Sequence, residues 1–306
     1  MSALKLLATL LMALGWLALE TSTLAAEVPI RCWIRGQGQY EDGEIVKPDG
    51  ERMLNLDTLP KISRKSKDIQ YDGATRTYIG VKLTDVIDAC KLTNAAVDAV
   101  LLHFANGMIV PVSYPDSSLT KMDALVALGI RGKSDKDLKS FPPVGKKDER
   151  FNDPRPIRFT TNKIVVTSGF HPDVAESTAK DGFTPWRFTD TLKGIEFVNR
   201  KAWFAQFDVD AAASEGFKVY QTRCQYCHGA RKVGASFGWD YVTPLPIFEK
   251  RDPKSIFNHL KYPKWDALQM GLMMPAQGKM TEHEAEALWQ WMKAVATVKH
   301  LKPYKI

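Results

Sequence analysis

Five consecutive residues constrain this chain more than any other feature: Cys224-Gln225-Tyr226-Cys227-His228. Two thiols three positions apart reach the two vinyl groups of one porphyrin and form thioethers. The histidine that follows directly then projects its imidazole onto one face of the iron. Gly229 comes next, with no side chain to crowd the ring. A C-x-x-C pair also occurs as a redox dithiol or as half of a zinc site. The strand-before, helix-after context of a thioredoxin-like dithiol is missing, and no second C-x-x-C or H-x-x-x-H completes a zinc site. The motif therefore predicts one covalently attached haem c, with Cys224 and Cys227 as thioether residues and His228 as an axial ligand of the iron.

The second axial ligand must come from elsewhere. Met270, Met273, Met274 and Met280 lie between the motif and the last amphipathic stretch. A thioether on the iron raises the reduction potential. Pro275 keeps Met274 out of helical conformation, so that its sulfur can point inward. Met274 is the expected ligand and Met273 the runner-up, with core packing the alternative role for any single methionine. His259 and His283 are weaker candidates. His283 falls inside a capping box, with Thr281 at the N-cap and Glu284 three residues on, and is expected to face solvent.

The flanks of the motif follow helical spacing. Gly216 and Tyr220 stand eight and four residues before Cys224. After the capping box, Ala285, Leu288, Trp289 and Met292 form an apolar stripe, with Trp291 nearby. The expectation is that these two helices cross at Gly216, where a missing side chain permits close approach and Tyr220 fills the crossing. From Gly216 to Met292 the chain resembles a class I cytochrome c. The pattern is met by Gly216, Tyr220, Cys224, Cys227, His228, Met274, Pro275 and Trp291. The resemblance implies an all-α domain whose haem shuttles single electrons between partner proteins. Residues 234–246 depart from the pattern: family members often set a proline carbonyl there against the axial histidine, and both Pro244 and Pro246 are available.

With 306 residues the chain has room for more than one domain. Lys5, the apolar run Leu6 to Leu19 and the small residues around Ala25 and Ala26 read as an export signal over residues 1–26. The run falls short of the roughly 20 residues that a spanning helix needs, so an uncleaved anchor is the lesser alternative. A domain over 27–205 and a haem domain over 206–306 follow, the composition shifting between Trp203 and Asp210. Within the first, Ala99 to Phe104 and Met108 to Val112 read as strands joined by Asn106-Gly107, a strong hairpin signal. Lys82 to Leu92 reads as a helix and Gly194 to Val198 as a final strand. Arg131 to Pro156 reads as a long surface loop before a strand at Ile164-Val165-Val166. This mixture predicts an α+β fold beside the all-α haem domain. Cys32 and Cys90 read as two buried thiols in preference to a disulfide, since the pattern Leu83, Val86, Ile87, Cys90 marks an inward helical face.

The stretch Gly80-Val81-Lys82-Leu83-Thr84-Asp85-Val86-Ile87, the strand pair at Asn106-Gly107 and Pro156-Ile157-Arg158-Phe159 resemble the sulfite-oxidase-type molybdopterin-binding domain over residues 40 to 200. That resemblance implies a mixed sheet of the sulfite-oxidase kind. Catalytic members supply a cysteine thiolate to molybdenum from a segment that here runs from Leu56 to Ile69 and contains no cysteine. Molybdopterin is therefore not expected, and the domain reads as a cofactor-free docking module. His103, in an apolar strand, reads as a satisfied core histidine; His171, in a Gly/Pro loop, reads as a surface residue that is a secondary ligand candidate.

The net charge of +7 suits acidic partners or anionic membrane surfaces, and no basic run interleaved with aromatics points to nucleic acid. The expected protein is thus a periplasmic electron carrier rather than an enzyme. Its partners would be redox proteins (a dehydrogenase, an oxidase or a membrane complex), with peripheral membrane association. The alternative is a molybdenum-dependent oxidoreductase that passes electrons to its own haem.

Overall fold

A computed structural model describes residues 29–38, 47–67, 75–90, 92, 94, 96–114, 124–131, 138–139, 158–161, 192–261, 277 and 279–306. In chain order its first part runs β1 (Pro29–Ile34), β2 (Gly50–Asn55), a 3-10 turn (Leu56–Thr58), β3 (Ile62–Lys67), β4 (Thr75–Lys82), α1 (Leu83–Cys90), β5 (Ala99–Phe104), β6 (Ile109–Ser113), β7 (Ala124–Arg131), β8 (Leu138–Lys139), β9 (Arg158–Thr161), β10 (Leu192–Val198) and α2 (Arg200–Ala205). The second part runs through a 3-10 turn (Ala211–Ala213) to α3 (Ser214–Val219), a π-turn (Tyr220–Cys224), β11 (Gly229–Ala230), β12 (Val233–Gly234), α4 (Ile247–Lys250), α5 (Pro253–Lys261) and α6 (Glu282–Thr297).

One five-stranded sheet has the order β2-β1-β10-β5-β6, with β1 and β10 parallel and its other neighbours antiparallel. A second sheet is ordered β3-β4-β7-β8, with β9 also pairing β7. The stretch 131–156, read from sequence as a surface loop, is interrupted by β8: Leu138 and Lys139 pair with Arg131 and Ile130 of β7. The strand expected at Ile164-Val165-Val166 and the loop holding His171 lie outside the described residues.

The hairpin at Asn106-Gly107 forms as expected. Gly107 takes φ +89, and the Asn106 side chain accepts from the Met108 N–H at 3.1 Å. The expected helix is present in shortened form, because Lys82 still belongs to β4. Its inward residues Leu83, Val86, Ile87 and Cys90 are all buried. Here the structure corrects the cysteine reading: Cys32 and Cys90 form a disulfide, with Cα atoms 5.9 Å apart. Cys32 projects from β1 towards the face that α1 covers, so the two thiols meet although they lie 58 residues apart in sequence. That register is invisible to periodicity.

Strand β5 is buried on both faces, which explains its nearly continuous apolar sequence. Val100, Leu102 and Phe104 join a core with β1, β10 and α1. Ala99 and Leu101 join a second core made mainly of the C-terminal helices, to which α2 adds Ala202 and Trp203. In that core α3 crosses α6 at Gly216, as expected: a Cβ there would run into the Ala287 carbonyl and stand 2.7 Å from the Cβ of Trp291. Tyr220 stacks on Trp291 with ring centroids 4.4 Å apart. The buried stripe of α6 is Ala285, Leu288, Trp291, Met292 and Val295. Trp291, not Trp289, is its large aromatic; Trp289 sits at the edge, where its indole N–H donates to the Arg251 carbonyl at 3.0 Å. After α6 the chain returns to the first sheet, Gly38 and Tyr304 exchanging two backbone hydrogen bonds of 3.1 and 2.8 Å.

Candidate haem-binding site

The motif is presented by a tightened helix end. Asp210 caps the 3-10 turn by accepting from the Ala212 N–H at 2.9 Å, and α3 runs on into the π-turn, where the Gln225 N–H reaches the Tyr220 carbonyl at 3.0 Å. The Cys224 carbonyl then accepts from the N–H groups of both Cys227, at 3.1 Å, and His228, at 2.9 Å. Cys224, Cys227 and His228 are thereby gathered around a single turn. The Tyr220 hydroxyl donates to the His228 carbonyl at 2.9 Å, which ties the α3/α6 crossing to the histidine.

The imidazole is fixed from three directions. Its Nδ1 lies 2.7 Å from the Trp239 carbonyl. A carbonyl only accepts, so Nδ1 carries the proton and the neutral ring presents a lone pair at Nε2. Burial pulls the His228 pKa below the ordinary histidine value, which favours that neutral form, although the Trp239 hydrogen bond and Asp240 oppose it. The Tyr241 ring stacks on the imidazole at 4.9 Å and 9°. Gly238 passes so close to the ring that an added Cβ would collide with it. An imidazole whose other nitrogen donates to a backbone carbonyl is the usual arrangement of a metal-ligating histidine. The carbonyl is not that of Pro244 or Pro246, as the sequence pattern suggested. It is that of Trp239, whose indole is 65% exposed.

Asp240 explains why. Its carboxylate accepts four backbone N–H groups: from Arg231 at 3.0 Å, Lys232 at 2.6 Å, and Val242 and Thr243 at 2.8 Å each. Arg231 and Lys232 both adopt left-handed backbone, φ +54 and +62, and their N–H groups form a nest for the anion. This knot pins the loop at residue 240, which sets the preceding carbonyl and the following ring on the histidine. Pro244 and Pro246 come later and lead into α4. Neither Trp239 nor Asp240 was found from sequence, and the one local signal was the unusual pair of non-glycine residues at the β11–β12 turn.

The cysteines lack the electrostatics of a redox dithiol. Both are free, Cys224 buried and Cys227 partly buried. Burial pushes the Cys224 thiol up to about 11 and the Cys227 thiol to about 12. A redox dithiol needs the opposite shift, towards a thiolate at neutral pH.

Of the methionines considered, Met280 is described and is spent on packing: it is buried among the helices, its N–H donating to the Gln277 carbonyl at 2.9 Å. Met270, Met273, Met274 and Pro275 lie outside the described residues. His283 faces solvent as expected, 3.0 Å from Glu215, and the capping box beneath it forms as read.

The first sheet reaches the motif directly. Tyr226, between the two cysteines, is buried in the sheet's core, with Cys227 and Phe237 packed against it. Further along β5, His103 is satisfied as expected: its Nε2 donates to Glu196 at 2.8 Å. Glu196 also pairs with Arg35 at 2.8 Å, and the Arg35 guanidinium lies 4.3 Å over the Trp203 ring. Burial alone would raise the Glu196 pKa. The Arg35 charge and the His103 hydrogen bond outweigh it and lower the value to about 2.

A family model described as cytochrome c oxidase, cbb3-type, subunit III matches residues 211–292. This stretch contains α3, the motif, Asp240 and most of α6, and its similarity to a cytochrome c family supports haem c and a haem-based role in electron transfer with redox partner proteins. The match leaves residues 1–210 outside it. No curated protein matches the chain.

Proposed function

We propose that this protein is a periplasmic carrier of single electrons with one haem c, bound covalently by Cys224 and Cys227 and ligated by His228 and Met274. The carrying observation is the hydrogen bond from His228 Nδ1 to the Trp239 carbonyl, which leaves Nε2 as the ligating atom. The haem supplies reversible one-electron iron chemistry, and Met274 would set its potential high. The chain's own residues hold the imidazole in one tautomer and one plane, and the crossing at Gly216 keeps the motif rigid beneath it.

Residues 1–26 are read as the export signal, 27–205 as the docking module of sulfite-oxidase-like origin, and 206–306 as the haem domain. The Cys32–Cys90 disulfide supports an oxidising compartment. It also takes both remaining cysteines out of play as molybdenum thiolates, which favours a cofactor-free module. Among the described residues no helix is long and apolar enough to cross a membrane. Between Phe207 and Ile306 there are 14 Lys and Arg against 10 Asp and Glu, so the haem domain favours acidic docking sites and salt-sensitive rates. The partners are redox proteins of a dehydrogenase, oxidase or membrane complex, with peripheral attachment to the membrane.

The test is protein purified from the periplasm. Haem should survive a denaturing gel in the native protein and be lost from the Cys224→Ala/Cys227→Ala variant. Met274→Ala should abolish a Met-to-iron charge-transfer band in the oxidised protein. Stoichiometric molybdenum would overturn the carrier reading in favour of an oxidoreductase, and absence of haem would overturn both.

A further inference from the structure

We infer that the Asn106-Gly107 hairpin of the N-terminal sheet is a positioning element for the haem-ligating histidine, so that the first half of the chain is a working part of the haem site. This rests on the haem reading of His228 proposed above. β6 is an edge strand, and an edge leaves backbone groups unpaired. The haem motif takes up one of them: the Ile109 N–H donates to the carbonyl of Tyr226, between the two cysteines, at 3.2 Å. At the hairpin tip the Gly107 carbonyl accepts from the Ser236 N–H at 2.8 Å.

From Ser236 the path to the imidazole is four residues long. Gly238 donates its N–H to the Cys227 carbonyl at 2.7 Å, and the Trp239 carbonyl accepts the hydrogen bond from His228 Nδ1 at 2.7 Å. The hairpin thus grips the motif at Tyr226 and grips the segment that orients the ring at Ser236. The fit is close. Gly107 has φ +89, and a Cβ on it would stand 2.6 Å from the Ser236 hydroxyl oxygen and 3.0 Å from the Phe237 nitrogen. A larger residue there would strain the left-handed backbone and press on the backbone of residues 236–237.

The ferric holoprotein provides the readout. Electron paramagnetic resonance g-values report the orientation of the axial imidazole, which a merely structural contact would leave alone. Gly107→Ala is expected to shift the g-values, while Ser236→Ala, which keeps its backbone N–H, leaves them as in the native protein. A folded Gly107→Ala holoprotein with native g-values would overturn the inference. Amide hydrogen exchange on the native protein serves where that variant fails to accumulate. The Ile109 and Ser236 amides should exchange at least ~100-fold more slowly than unstructured peptide. Open-loop exchange at either amide sinks the proposal. Exchange is readable without haem, so a haem-free preparation would defeat the functional reading and leave this test standing.

Discussion

The Trp239 carbonyl accepts a hydrogen bond from Nδ1 of His228 at 2.7 Å, and the neighbouring Asp240 holds that carbonyl in place through four backbone N–H groups. Asp240→Ala orphans those donors and releases two left-handed residues, at a cost of about 3 kcal/mol. Asp240→Asn keeps an oxygen for Arg231, Val242 and Thr243 and loses mainly the Lys232 bond, so it should cost less than half as much. Denaturant unfolding, followed by the haem absorption of each variant, measures the difference.

Gly216→Ala sets two effects against each other. Alanine improves helix propensity by about 1 kcal/mol. The new methyl group meets the Ala287 carbonyl, which belongs to the backbone of α6 and cannot swing away. Overpacking of this kind costs about 1–3 kcal/mol and more where the neighbour is backbone, so the clash wins. The variant should unfold at lower temperature than the native protein, and Gly216→Val should yield little haem-loaded protein.

Acid should expose the buried ion pair. The folded-state pKa of Glu196 is depressed from 4.5 to about 2, so its stabilisation is full above the unfolded value and disappears as the pH falls from about 4.5 towards 2. A shift of this size corresponds to about 3 kcal/mol. Glu196→Gln should lose stability at neutral pH and flatten the stability profile in that acid window. A native-like acid limb in the variant would show that other groups carry it.

Reduction of the Cys32–Cys90 disulfide, which closes a loop of 58 residues, should cost about 4 kcal/mol by the chain-entropy argument. Because β5 contributes to both cores, the loss should not stay in the first sheet. The Cys32→Ala/Cys90→Ala variant is expected to unfold in one transition, with sheet and haem signals moving together. Two separated transitions would contradict a shared core.

Several features were legible because they are local. The spacing of Cys224, Cys227 and His228, the capping box at Thr281 and Glu284, and the turn at Asn106-Gly107 each need only neighbouring residues. Even the crossing at Gly216 followed from two helical patterns. Trp291 took the inward place expected of Trp289, since the stripe's edge depends on where α5 lies. The Cys32–Cys90 bond was missed because no spacing rule brings a strand residue and a helix residue 58 positions apart into register.

By itself, then, the sequence determined the local frame of the candidate site: the spacing of Cys224, Cys227 and His228, and the helix pair that frames them. Only the tertiary structure decided how the histidine is held. The acceptor is a backbone carbonyl, which carries no residue-specific signature, and Asp240 places it through N–H groups that every residue but proline possesses. The grip of Gly107 on Ser236 is likewise backbone to backbone across 129 residues of chain, a contact that exists only once both halves have packed around β5.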